Sequence, residues 1–123
     1  MENTFPFKVY RLPEHLRTEE FLWGITADVE ADAALEGYFY LFEKYGFGGS
    51  GLSWEEHITT MLEEEAPELL DHVSGYSTAA RLLFLADDEK TVQHFLRIVG
   101  PVFADLGTLN KYFSQTDSSD FFE

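Results

Sequence analysis

Four histidines and a surplus of carboxylates are the side chains here whose types could support acid–base or metal chemistry. The histidines are His15, His57, His72 and His94, and no two stand at the four-residue offset that puts a pair of ligands on one helix face. Glu55-Glu56-His57 has the look of a reversed fragment of a zinc-binding helix, but the second histidine is missing, so no metal and no cofactor are expected. The absence of cysteine removes thiolate nucleophiles, thiolate metal sites and disulfides. No serine stands in a nucleophile elbow. Paired carboxylates such as Asp87-Asp88 occur too often to single out an acid–base couple, which needs a cleft that separates its pKa values. The glycine run from Gly46 to Gly51 ends in no lysine–serine pair and fits neither a P-loop nor a dinucleotide fingerprint. Nothing marks an enzyme; a small hydrolase or isomerase with a carboxylate in a pocket would be a reading without a motif.

Charge is the stronger signal. Against 23 acidic side chains stand 8 basic ones, for a net charge of −15 over 123 residues. Such a surface repels phosphate backbones and anionic bilayers, so nucleic acid and membrane are not expected as partners, whereas a basic protein is. The acidity decorates a packed fold: 45% of residues are hydrophobic and 16% aromatic, more than a disordered acidic tail carries. No apolar run approaches the ~20 residues that span a bilayer, and Met-Glu-Asn-Thr-Phe-Pro-Phe lacks the basic start and apolar stretch of a signal peptide, so a cytoplasmic location is the expectation.

The elements that must position these side chains follow from periodicity. Phe5, Phe7 and Val9 alternate with Lys8 and Tyr10, and Phe21, Trp23, Ile25 and Ala27 alternate with Leu22, Gly24, Thr26 and Asp28, which predicts two paired strands. Leu35, Tyr38, Phe39, Phe42 and Tyr45 follow helical spacing behind Asp32 as a cap. Gly46, Gly48, Gly49 and Gly51 then permit a sharp turn, after which Ser53-Trp54-Glu55-Glu56 reads as a capping box. Trp54, Ile58, Met61 and Leu62 form the apolar stripe of that helix, which runs to about Glu65 and breaks before Pro67. Thr78 to Ala86, which holds Leu82, Leu83, Phe84 and Leu85, reads as a central strand buried on both faces. Asp87-Asp88-Glu89 opens a long helix with Val92, Phe95, Leu96, Val99, Phe103 and Leu106 inward and a kink expected at Gly100-Pro101. Thr108 caps a short last helix, and residues 115–123 read as a frayed acidic tail.

The order Phe42-Glu43-x-x-Gly46-Phe47-x-Gly49-x-Gly51-x-x-Trp54, followed by a helix, Ala66-Pro67-Glu68-Leu69-Leu70, a strand and an acidic helix start, resembles the immunity protein 51 family of bacterial polymorphic toxin systems. Where that family typically reads Gly-Asn-Gly-Tyr-Asp-Trp, this chain has Gly49-Ser50-Gly51-Leu52-Ser53-Trp54, keeping the glycines and the tryptophan. Where it tends to have an aspartate and Glu-Ala-Gly, this chain has Gly75 to Ala80. The resemblance covers roughly residues 20 to 115 and implies an α+β domain, with a small, mainly antiparallel sheet against helices; the length and composition predict one domain over residues 1–123. It also implies a non-catalytic inhibitor that occludes a cognate toxin, for which a basic nuclease suits the charge. Gly46, Gly49, Gly51 and Trp54 would then be a structural motif. The expected toxin-binding residues are Asp28, Glu30 and Asp32 in one acidic stretch and Glu63, Glu64, Glu65, Glu68 and Asp71 in another. An acidic adaptor that binds a basic host-cell protein fits the same charge and is the competing reading.

Overall fold

The computed structural model describes residues 5–16 and 21–115. The two alternating stretches form β1 (Lys8–Arg11) and β2 (Trp23–Ala27), which pair antiparallel with Val9 opposite Ile25. β1 starts later than the alternation predicts, because Phe7 turns into the core just before the ladder begins while Phe5 stays exposed. β3 (Val73–Gly75) and β4 (Leu82–Ala86) complete an antiparallel sheet of order β1-β2-β4-β3. Among the described residues four α-helices accompany it: α1 (Glu36–Lys44), α2 (Gly51–Glu65), α3 (Glu89–Phe103) and α4 (Leu106–Ser114). The chain is thus a small α+β domain.

One sheet face meets the helices. Ile25, Ala27, Leu82, Phe84 and Ala86 are all buried there, joined by Val92, Phe95, Val99 and Phe103 of α3 and by Trp54, Ile58 and Leu62 of α2. The other face carries Lys8, Tyr10, Thr26, Leu83 and Leu85, exposed or half-buried. β4 is therefore fully buried on one side only, not on both, because the helices cover a single face. Above Gly24 lies Tyr10, whose ring would meet a Cβ at 2.5 Å, so the glycine lets a cross-strand aromatic cover the sheet.

Trp54 sits at the centre of the core. Fully buried, it stacks on Phe42 with ring centroids 5.4 Å apart and planes 2° from parallel, and it meets Phe7 edge-on at 6.3 Å and Phe103 at 5.0 Å. Aromatic pairs of this kind contribute about 0.5–1.5 kcal/mol each beyond the area they bury. Nearby, Tyr38 donates a 2.6 Å hydrogen bond to the Phe103 carbonyl. Burial, with Asp105 adding a smaller push, raises the Tyr38 phenol to about 12, so it stays a donor.

Two caps fall three residues earlier than expected. α2 begins at Gly51 with Ser50 as N-cap, and Ser53 lies inside the first turn, donating to the Phe47 carbonyl at 2.8 Å. α4 is capped by Asp105, with Thr108 one of its own donors, not the cap. Asp32 caps as expected, but a 3₁₀ turn at Ala33–Leu35 precedes α1. Pro67 opens a 3₁₀ turn, Pro67–Asp71. α3 continues unbroken through Gly100 and Pro101. The tail from residue 116 lies outside the described residues.

Candidate functional site

The two acidic stretches occupy opposite ends of the sheet. Asp28, Glu30 and Asp32 follow the end of β2, where Ala27 faces Leu82 at the start of β4; Asp71 precedes Val73, which faces Ala86 at the end of β4. α2 runs between the same ends, its N-terminus against the β3–β4 turn and its C-terminal Glu63, Glu64 and Glu65 leading to the 3₁₀ turn that holds Glu68 and Asp71. The fifteen residues of α2 span about 22 Å between those ends. The structure does not unite them into one patch.

The second stretch forms an acidic pole. Glu63, Glu64, Glu65, Glu68 and Asp71 are all exposed, and Asp87, Asp88 and Glu89 of the β4–α3 junction stand at the same sheet end. Asp88 and Glu89 sit where α3's dipole welcomes them, and Asp88 caps Thr91 N–H at 2.9 Å. Glu63 to Glu65 sit at the opposite kind of terminus, and α2's last turn has no basic residue. His72 pairs with a carboxylate of this pole: its Nδ1 lies 2.5 Å from Asp87 Oδ2, and Asp87 Oδ1 accepts from Thr91 Oγ1 at 2.5 Å. The hydrogen bond and charge of Asp87 raise the His72 pKa. Burial pushes the Asp87 carboxyl up, but hydrogen bonds from Thr91 and His72 outweigh it and hold the group below its ordinary value.

The first stretch is partly engaged inside the protein. Asp28 pairs with Arg81 at 2.7 Å, and Asp32 accepts from Ala34 N–H at 3.0 Å; Glu30 remains exposed. Beside them lies a half-open groove of about 340 Å³ lined by Val29, Glu30, Ala31, Asp32, Ala33, Glu36 and Phe39. At its edge Phe39 and Tyr40 are 40% and 62% exposed, with rings edge-on at 5.8 Å. Phe39 was expected in the helical stripe; it instead packs on the backbone at Gly49, where a Cβ would approach its ring to 2.3 Å. Sequence reasoning missed Glu36 and this use of Phe39, since the groove's walls come from the loop after β2 and from α1.

The glycine–tryptophan motif lies within the fold. Gly46 and Gly48 have positive φ, and Gly51 packs so closely that a Cβ would stand 2.3 Å from the Arg81 carbonyl oxygen. Gly51 N–H donates to the Ala79 carbonyl at 3.0 Å, and Ser77 N–H to Glu55 Oε1 at 3.2 Å, so the motif fastens α2 to the β3–β4 turn. His57, one turn beyond Trp54, is completely buried against Phe47, Phe113 and Phe42, with centroids at 4.4, 4.9 and 5.8 Å. Burial lowers its pKa to about 4.

Among the described residues no three His, Cys, Asp or Glu side chains converge as metal ligands would, and no helix is long and apolar enough to cross a membrane. No family model, curated protein or solved structure matches the chain.

Proposed function

We propose that this protein is an immunity-type inhibitor that binds a basic toxin domain, a nuclease being the class its charge suits best, and blocks that domain without catalysis of its own. The observation that carries the reading is the placement of Glu63, Glu64 and Glu65 at the C-terminal turn of α2 with no basic residue beside them in that turn. Carboxylates there face the negative end of the dipole and one another, at about 0.3–1 kcal/mol each. Folding alone favours Lys or Arg at such positions. A basic surface docked on this pole converts the repulsion into attraction and accelerates the encounter. The likeness of Gly46, Gly49, Gly51 and Trp54 to the immunity protein 51 pattern supports the same reading.

Co-expression of the product of the gene immediately upstream, with and without this protein, tests it. Death alone, survival together and a co-purifying complex that loosens with salt are the expected results. A harmless neighbour that forms no complex would remove the toxin from the account and favour an acidic adaptor for a basic host-cell protein.

A further inference from the structure

The groove at Val29–Phe39 differs from the acidic pole in having an apolar floor as well as charge. Val29, Ala31, Ala33 and the Phe39 ring line it, and Glu30, Asp32 and Glu36 stand around it. Among the described residues lining it there is no cation; the nearby Arg81 is already committed to Asp28. A long cationic side chain needs both features, an apolar track for its methylenes and carboxylates for its head, and an aromatic face adds a cation–π contact of about 0.5–1 kcal/mol at exposed sites. The planar guanidinium of arginine suits two carboxylates better than a lysine ammonium does. Tyr40, whose ring meets that of Phe39 edge-on, adds exposed apolar surface of the kind that anchors interfaces.

We infer that this groove is a docking surface for a basic protein partner and that it receives an arginine side chain from that partner, with Phe39 and Tyr40 covering the residues on either side. The inference rests on the reading of the chain as a binder of a basic protein. Charge complementarity names the occupant: net charge −15 and three carboxylates around an apolar floor select against an acidic or a purely apolar partner.

The test uses the full chain, labelled with ¹⁵N, titrated with the peptide acetyl-Gly-Leu-Arg-Leu-Gly-amide and with its citrulline counterpart, which keeps the shape and loses the charge. Saturable amide shifts centred on residues 29–40 are expected for the arginine peptide, with affinity at least about 5-fold lower for citrulline, in keeping with the loss of a charge-assisted pair. Glu36→Gln and Tyr40→Ala, both at exposed positions, should each weaken binding by roughly 3- to 10-fold while leaving distant amides unmoved. Ala33→Lys places a cation in the groove in cis and should abolish it. Shifts centred on residues 63–71, equal responses to arginine and citrulline, or no saturable shift up to roughly 10 mM, the range of single-anchor contacts, would each overturn the inference. Because the peptide is independent of the upstream gene product, loss of the groove and loss of the toxin reading are separate results.

Discussion

His57 gives the sharpest stability prediction. Its ring is fully enclosed by Phe47, Phe113 and Phe42, and burial lowers its pKa from 6.5 to about 4. Between those two values the unfolded chain binds a proton that the folded one excludes. Neutral His57 thus leaves stability intact above pH 6.5; stability falls as pH drops through the window and levels off below about 4. Over the whole window the loss is about 3 kcal/mol, and by about pH 5 roughly 2 kcal/mol of it has occurred. That is a sizeable fraction of the 5–15 kcal/mol that holds a typical domain together. Asp87, whose carboxyl is held below its ordinary value, loses its own contribution as pH falls, but this is common to the wild type and a His57 variant. The assay therefore compares wild type with His57→Phe by urea unfolding at about pH 7.5 and about pH 5, with His57→Leu as a second apolar variant in case the larger ring strains the cage. The difference between wild type and variant should shift by roughly 2 kcal/mol toward the variant at the lower pH. A difference that stays constant within about 0.5 kcal/mol for both variants would refute a histidine kept neutral by burial.

Gly51→Ala should destabilise by roughly 1–3 kcal/mol, since its Cβ would meet the Arg81 and Thr78 backbone, while Gly100→Ala, in a helix and facing open space, should stabilise by about 0.5–1 kcal/mol; thermal shifts of the same sign would contradict this. Replacing Glu63, Glu64 and Glu65 together by Gln should raise stability by about 1–2 kcal/mol at low salt, an advantage that shrinks as salt is added, and should weaken the partner complex; a loss of stability would remove the electrostatic argument for this pole. Asp87→Asn should bring the His72 pKa back toward 6.5 in an NMR titration. In the wild type this pair supports folding fully between pH 3.8, the ordinary Asp87 value, and pH 6.5, and loses its effect as pH rises through the raised His72 value, so an unchanged titration would show that the contact carries no charge coupling.

Much of the fold was legible because periodicity and burial agree. Trp54, Ile58, Met61 and Leu62 recur at helical spacing and all four are buried. Where two residues could serve equally, local pattern did not decide. Ser50 and Ser53 are both competent caps three residues apart, and the close seat of Gly51 against the β3–β4 turn selects the earlier one. Thr108 lost to Asp105 in the same manner. Residue type misled twice in opposite directions: Phe39 looks like core and is exposed, while His57 looks polar and is wholly enclosed, although its place three residues after Trp54 puts it beside the stripe. Of the site, the charge was legible and its arrangement was not. The separation of Asp28–Asp32 from Glu63–Asp71 follows from the strand register, and the groove joins a loop to a helix that only the tertiary fold brings together.

The sheet order carries a kinetic consequence. β2 pairs with β1, its near neighbour in sequence, but its other edge pairs with β4, and the chain between them contains all of α1 and α2. Closing so long a loop costs entropy before any ladder bond repays it, which slows folding relative to a bundle of helices. On the ribosome the first hairpin can form early, yet β2 keeps an unpaired edge until Ala86 has emerged. A chain halted before β4 would present that edge, and the apolar face of Ile25 and Ala27, to other chains as a template for aggregation.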